Sequence, residues 1–123
     1  DSKQLAKKHA QWEAIAISAC EQSGRNIIPR IYSPCSFDSY LETCSAQTKC
    51  MLDPTAEHSW KKGTAKQGDI ALLIGPEGGL DQHEIREAKA ASFQGIQLGP
   101  RILRTETATL AALSVLQALE GDL

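Results

Sequence analysis

A short apolar segment followed by a glycine-rich turn constrains this chain more than any other part of it. The run from Ile70 to Ile74 is continuously apolar, which is typical of a strand buried on both faces. The loop Gly75 to Gly79 follows at once, with the sequence Gly-Pro-Glu-Gly-Gly. Glycine lets a ligand approach the main chain closely, and proline fixes its own backbone. This segment therefore predicts a strand that ends in a candidate binding loop.

A second strand and loop repeat this design further along the chain. Gln94 to Leu98 predicts a short strand, and Gly99 and Pro100 follow it. Strands that alternate with helices predict an α/β fold, in which a parallel sheet is flanked by helices. Such folds bind ligands at the carboxyl edge of the sheet. The two Gly-Pro loops are therefore expected to lie next to each other at that edge.

Periodicity and turn formers predict the remaining elements. The expected order is helix Lys3 to Ser23, strand Ile27 to Tyr32, helix Phe37 to Cys44, strand Lys49 to Leu52, a helix opened by the capping box of Asp81 and Glu84, and a last helix Glu106 to Glu120. Thr55 to Gln67 has no period and predicts a long loop. Within it, Trp60 either stacks on a nucleic-acid base or packs onto the core. His58 is interpreted as a surface histidine.

Composition excludes several classes of protein. The chain has 123 residues, of which 41% are hydrophobic and 23% charged, which predicts one ordinary globular domain. No signal segment or membrane-length apolar run is present, so the cytoplasm is the expected location. The net charge of −2 argues against binding nucleic acid by charge alone. The four cysteines lack metal-site spacing; we expect four buried thiols and no metal.

The last helix is apolar around most of its circumference. A helix of this kind is buried on two sides, and in a small domain the second side is often another subunit. We therefore expect a homodimer formed largely through this helix. Leu113 and Leu116 are the residues chosen to probe it.

The glycine loops do not match the known phosphate-binding patterns. Neither G-x-x-x-x-G-K-[ST] nor G-x-G-x-x-G occurs, and Glu77 would repel a phosphate. The first loop suits a neutral or cationic ligand better. Strand-turn glycines also have a purely structural explanation, so this signal alone is weak.

The two loops together are far more specific. Residues 74–79, Ile-Gly-Pro-Glu-Gly-Gly, and residues 98–108, Leu-Gly-Pro-Arg-Ile-Leu-Arg-Thr-Glu-Thr-Ala, resemble the SPOUT class of RNA methyltransferases. Within that class they are similar to the bacterial family that methylates N3 of a uridine in small-subunit (16S) ribosomal RNA. Residues 21–25, Glu-Gln-Ser-Gly-Arg, and the ending Gly-Asp-Leu also look like that family's signatures.

The resemblance implies a fold, a cofactor and partners. Residues 1–123 would form a SPOUT domain whose C-terminal part is threaded into a trefoil knot, an exception to the rule against knots. The cofactor would be S-adenosylmethionine, and the enzyme a homodimer with a site at each subunit boundary. The substrate would be ribosomal RNA of the small subunit, within ribosome biogenesis. An N-terminal PUA-like RNA-binding domain of the family is expected to be missing from this chain.

The resemblance also implies site residues. Cofactor contacts are expected at Leu52, Ile74, Gly75, Pro76, Glu77, Gly78, Leu98, Gly99, Ile102, Leu103, Arg104 and Thr107. For catalysis, Arg104 would hold the uracil carbonyls, with Arg25 as a helper from the facing subunit. Glu77 or Glu106 would accept the proton of N3. In the structural alternative, Arg104 only forms an ion pair with a carboxylate such as Glu106.

Two other functions stay open from the sequence. The shared fold permits methylation of a ribose 2′-oxygen, and the same domain can persist as a non-catalytic RNA-binding module. The intact loops count against the second alternative.

Overall fold

A computed structural model describes residues 1–61, 65 and 67–122 of the chain. The elements are α1 (Ser2–Ser23), α2 (Phe37–Thr43), β1 (Thr48–Leu52), β2 (Ile70–Leu73), α3 (Gln82–Ala90), β3 (Gln94–Ile96) and α4 (Thr105–Glu120). They divide into two compact units, Asp1–Tyr40 and Leu41–Leu123. No helix within the described residues has the length and apolar character needed to cross a membrane.

The first unit is built on α1, and both ends of this helix are capped. The Asp1 side chain accepts a hydrogen bond from the Lys3 main-chain N–H at 3.0 Å. At the other end Gly24 adopts φ 76°, and its N–H donates to the carbonyl of Cys20. Only Cys20 is buried along α1, while Trp12 is 44% and Ile15 63% exposed. The predicted apolar face of the helix is thus largely open to solvent.

The predicted strand from Ile27 to Tyr32 is wrong. This stretch has no regular secondary structure and no ladder partner among the described residues. Pro29 lacks a main-chain N–H, so the stretch loses one ladder donor at its centre. His9 Nε2 instead donates to the Ile31 carbonyl at 2.7 Å and ties the segment to α1.

Parallel pairing organises the second unit. The strand order is β2-β1-β3, with Thr48 opposite Ile70 on one side of β1 and Cys50 opposite Gln94 on the other. This confirms the α/β class with a parallel sheet. All four residues of β2 are only half-buried, so the expectation of a strand buried on both faces is wrong. The reason is that β2 is an edge strand, whereas Cys50 and Met51 in the central strand are fully buried.

Helix α3 begins at the capping box that the sequence predicts. The Asp81 carboxylate accepts from the Glu84 N–H at 2.7 Å and the Glu84 carboxylate from the Asp81 N–H at 3.0 Å, which confirms the capping box of α3. Ala88 and Phe93 are buried, and Lys49 donates to the carbonyl of Ala91 just after α3. These contacts fix α3 beside the sheet.

A tryptophan anchors the long loop between β1 and β2. Trp60 is 6% exposed and packs with Cys50 and Ile96, so the core-packing alternative for this residue is confirmed. Val115, Leu116 and Leu119 of α4 pack against the same cluster. The His58 side chain is exposed, as expected. The rest of the predicted loop at residues 62–64 and 66 lies outside the described residues.

The cysteines differ from the prediction of four buried thiols. Cys20 and Cys50 are buried, but Cys44 is half-buried and Cys35 exposed, because Cys35 lies in the irregular segment before α2. Burial raises the pKa of the Cys50 thiol to about 11. All four are free thiols, and no group of three candidate ligands for a metal occurs in the part of the chain that is described.

Candidate functional site

The three parallel strands end at the same edge of the sheet, and a loop follows each of them. The loop after β2 contains a tight turn, in which the N–H of Gly79 donates to the Pro76 carbonyl at 2.7 Å. Gly79 has φ 78°, a left-handed conformation that favours glycine. The sequence Gly-Pro-Glu-Gly-Gly therefore folds into a defined turn rather than an extended connection.

Two further glycines of this loop have different roles. A Cβ atom on Gly75 would lie 2.8 Å from the main-chain nitrogen of Leu80, so the loop itself excludes a side chain there. A Cβ on Gly78 would meet nothing within 4 Å. Gly75 is thus needed to close the turn, whereas Gly78 leaves open space at its surface.

Main-chain hydrogen bonds join the end of β3 and the loop after it to the segment that follows β1. The Gln97 N–H donates to the His58 carbonyl at 2.9 Å, and the Asp53 N–H donates to the Ile96 carbonyl at 2.8 Å. Gly99, with φ 74°, then turns the chain away from the sheet. The end of the central strand therefore lies between the two glycine loops and is bonded to one of them.

These loops enclose a cavity of about 210 Å³, which we call the loop cavity. Among the expected cofactor contacts, its lining includes Leu52, Ile74, Gly75, Pro76, Glu77, Gly78, Leu98, Gly99, Ile102 and Leu103. The expected meeting of the two Gly-Pro loops is confirmed, although β1 lies between their strands. Most of the walls are apolar side chains and glycine main chain, which is the usual lining of a small-molecule site.

A second cavity of about 240 Å³ is lined by four polar residues. We call it the charged cavity; its residues are Glu77, Arg104, Thr105 and Glu106. Glu77 and Thr105 also line the loop cavity, so the two spaces adjoin. A group bound in one cavity can therefore reach a group bound in the other.

The side chain of Arg104 is available for a ligand. Arg104 is exposed at the start of α4, and its side chain makes no cap hydrogen bond. Neither Glu106 nor any other described carboxylate forms an ion pair with it. The structural alternative, in which Arg104 only fastens the loop through an ion pair, is therefore not observed.

The remaining predicted residues lie outside the loop cavity. Arg104 lines only the charged cavity, and Thr107 is exposed and lines neither. Arg25 belongs to the first unit, where its main-chain N–H donates to Cys20 just beyond the end of α1.

Sequence reasoning missed several residues of the loop cavity. The polar ones are Asp53, Gln97, Arg101 and Thr105. Asp53 is 4% exposed and directly follows the central strand. Its position at the carboxyl end of a predicted parallel strand was the signal that could have found it, because ligands bind at that edge.

The fold and this pair of cavities define a small α/β domain with a site at the carboxyl edge of its sheet, and comparison with known proteins supplies the family. Residues 1–117 match the RNA methyltransferase domain family. The chain therefore belongs to the family of RNA methyltransferase domains.

Individual relatives agree with this assignment. The chain is 43% identical over 121 residues to ribosomal RNA small subunit methyltransferase E of Buchnera aphidicola (subsp. Schizaphis graminum), covering 95% of this chain and 48% of the relative. It is 36% identical over 137 residues to the Bacillus subtilis protein of the same name, covering 99% and 53%. The chain thus spans about half the length of the curated relatives it matches.

Solved structures show the same fold with a cofactor. A methyltransferase from Legionella pneumophila, in complex with S-adenosylmethionine, superposes with a TM-score of 0.94 at 46% identity, covering all of this chain and 51% of the other. Ribosomal RNA small subunit methyltransferase E from Neisseria gonorrhoeae, also bound to S-adenosylmethionine, gives 0.92 at 40% identity, covering 97% and 51%.

Proposed function

We propose that this chain is the catalytic domain of an S-adenosylmethionine-dependent enzyme that methylates N3 of a uridine in small-subunit ribosomal RNA. The observation that carries the proposal is the pair of adjoining cavities at one sheet edge, one apolar and glycine-lined, the other charged. Relatives with the name ribosomal RNA small subunit methyltransferase E support the substrate class. The motif resemblance supports the choice of uridine N3.

The loop cavity fits S-adenosylmethionine by the chemistry of its lining. Leu52, Ile74 and Leu98 offer apolar surface to an adenine ring, and the glycine turns offer main-chain groups to its polar edge. Open space above Gly78 leaves room for a ligand to contact the main chain. When bound, the cofactor supplies an electrophilic methyl group on a positively charged sulfur.

The charged cavity fits the second substrate. N3 of uracil is a weak acid between two carbonyls, so it becomes a good nucleophile when its proton is removed or when negative charge on the carbonyl oxygens is stabilised. Arg104 is placed to stabilise that charge, because its guanidinium is exposed and unpaired within the described residues. Glu77 or Glu106 would accept the proton. Holding both reactants at adjoining cavities would supply the remaining rate enhancement.

The active form we propose is a cytoplasmic homodimer with the trefoil knot of the SPOUT class. Support comes from α4, on which Leu110 is 70% and Leu113 48% exposed. Ile102, which lines the loop cavity, is 83% exposed and would be covered by a partner. Leu116 packs into the chain's own core and is therefore a poor probe of the dimer. In this arrangement Arg25 of the second subunit would assist Arg104.

An additional RNA-binding domain of the PUA type completes the proposal. The chain has a net charge of −2, which gives little general attraction for RNA phosphates. The relatives are about twice as long as this chain, which leaves room for such a domain in the proposed full-length enzyme.

The identity of the methylated nucleoside tests this function. Protein extended to the length of its relatives would be incubated with S-adenosylmethionine and small ribosomal subunits that lack the modification. Mass spectrometry of the digested RNA should find 3-methyluridine. A 2′-O-methylated nucleoside would identify the related reaction instead, and no methylation by a protein that binds the cofactor would favour the non-catalytic alternative.

A further inference from the structure

Asp53 is a buried residue in the lining of the loop cavity. It is 4% exposed and follows the last residue of the central strand β1. Its main-chain N–H donates to Ile96 at 2.8 Å, and its carbonyl accepts from the Ala56 N–H at 2.9 Å. The residue is thus held at the start of a tight turn, with Pro54 next, a position where aspartate and proline are both favoured.

Local hydrogen bonds satisfy only one of its two carboxylate oxygens. Oδ1 accepts from the Thr55 N–H at 3.0 Å and from the Thr55 hydroxyl at 2.7 Å. Oδ2 lies beside β3, where a Cβ atom on Gly95 would be only 3.3 Å away. Within the described residues Oδ2 accepts no hydrogen bond. Because Asp53 lines the loop cavity, an acceptor there without a donor from the protein is suited to a donor from a ligand.

The position of Asp53 selects which part of the ligand supplies that donor. The two glycine loops follow the outer strands β2 and β3, and Asp53 follows β1 between them. A ligand that spans both loops therefore places its middle part over Asp53. In S-adenosylmethionine the middle part is the ribose, whose two hydroxyl groups are hydrogen-bond donors.

The sulfonium group is a poorer match for the same carboxylate. Transfer of the methyl group to a base in the charged cavity requires the sulfur to lie at the boundary between the cavities. Glu77 and Thr105 form that boundary, whereas Asp53 lines only the loop cavity. We infer that Asp53 is a cofactor-binding residue whose Oδ2 accepts a hydrogen bond from a ribose hydroxyl of S-adenosylmethionine. This inference rests on the proposed function.

Calorimetry on the chain tests the inference with four ligands and two variants. The ligands are S-adenosylmethionine, its product S-adenosylhomocysteine, and the 2′-deoxy and 3′-deoxy forms of the product. Asp53→Asn keeps the shape and the turn, and Asp53→Ala removes the acceptor. Asp69→Asn is the matched control, because it removes one negative charge from an exposed aspartate outside both cavities. Thermal unfolding of each variant checks that it is folded.

The inference predicts a specific pattern of affinities. Asp53→Ala should weaken cofactor and product alike by at least about tenfold, the scale of a hydrogen bond to a charged group. Asp53→Asn should have a smaller effect, and Asp69→Asn none. One deoxy form should bind the unaltered chain about tenfold more weakly than the product does. That difference between deoxy form and product should disappear in Asp53→Ala.

Other results would contradict the inference, and they distinguish a wrong ribose contact from a wrong cofactor assignment. The ribose contact is wrong, while the cofactor assignment stands, if folded Asp53→Ala binds the product as tightly as the unaltered chain does. The same conclusion follows if the deoxy form binds more weakly than the product by the same factor in Asp53→Ala and in the unaltered chain. A much greater loss for S-adenosylmethionine than for the product would assign Asp53 to the sulfonium. If the unaltered chain binds neither cofactor nor product, the cofactor assignment of the proposed function fails, and the inference fails with it.

Discussion

The loop cavity and the charged cavity share Glu77 and Thr105 but differ in how they are built. The loop cavity is formed by main-chain turns that hydrogen bonds and glycine geometry hold in place, as at Gly75 and Gly79. The charged cavity is formed by Glu77 and by side chains at the start of α4, among them the exposed Arg104 and Glu106, with no ion pair between these two. A preformed backbone cradle suits tight binding of a small cofactor. Exposed, unpaired charges suit a substrate that supplies the missing partners when it binds.

The difference predicts that changes in the two cavities affect different measured quantities. Substitutions in the loop cavity should change the dissociation constant of the cofactor. Substitutions in the charged cavity should change the methylation rate at saturating cofactor.

The largest effect is expected from Gly78→Val. Nothing in the protein lies within 4 Å of a Cβ at this position, so the fold should tolerate the branched side chain. A ligand that contacts the main chain there would be blocked. Calorimetry with S-adenosylhomocysteine should therefore detect no binding, although the unfolding temperature stays close to that of the unaltered chain.

Gly78→Ala is the matched control for this variant. Its smaller side chain should leave measurable, weakened binding. Unaltered affinity in folded Gly78→Val would show that the cofactor does not approach this loop.

The next effect concerns the proposed dimer and whether the site needs a partner. Leu113→Lys places a charge on the exposed face of α4, and burying it unpaired would cost several kcal/mol, roughly a hundredfold or more in dimer affinity. Sedimentation equilibrium should then find a monomer. Ser114→Lys, at the next exposed position of the helix, should remain dimeric.

A stable monomer of the unaltered chain at micromolar concentration would reject the dimer proposal. The arrangement in which a second subunit covers Ile102 would be rejected with it.

Arg104→Ala should separate rate from binding. In the protein extended to the length of its relatives, loss of one well-placed donor should lower the methylation rate by about a hundredfold. The dissociation constant of the cofactor should change much less, because Arg104 does not line the loop cavity. Single-turnover kinetics on small ribosomal subunits, with the affinity measured in parallel, provide both numbers. Equal losses in rate and affinity would make Arg104 a cofactor-holding residue.

The smallest effect is expected at Thr107. The motif resemblance implies a cofactor contact there, but the residue is exposed and lines neither cavity. The geometry therefore predicts that Thr107→Ala changes the dissociation constant of the product by no more than about twofold, as for an ordinary surface substitution. A tenfold loss would show that the site rearranges around the cofactor or is completed by a partner.

Local sequence signals predicted most of the loop cavity, because the constraints there are local. The glycines that close the turns are visible in the sequence, and so is the capping box of Asp81 that starts α3. The sequence places Asp53 at the end of a predicted strand, but only the pairing of β1 between β2 and β3 places it between the two loops. Strand order is a long-range property that periodicity does not contain.

The two wrong predictions about strands also result from long-range pairing that the sequence pattern does not contain. The apolar run of β2 has the composition of a central strand, yet it pairs on one side only and stays half-buried. The stretch from Ile27 to Tyr32 has the residues of a strand but finds no ladder partner among the described residues. In both cases a correct local preference was overruled by the partners that the fold provides.

Chemical-shift mapping tests most directly whether the two cavities divide the work in this way. The chain of 123 residues would be labelled with ¹⁵N and titrated with S-adenosylhomocysteine. We expect the main-chain amide signals of Gly78 and Gly99 to show the largest shifts, and the side-chain Nε signal of Arg104 to move much less. If the Arg104 signal moves most while the two glycine amides stay in place, the cofactor occupies the charged cavity and not the loop cavity, contrary to the proposed division between them.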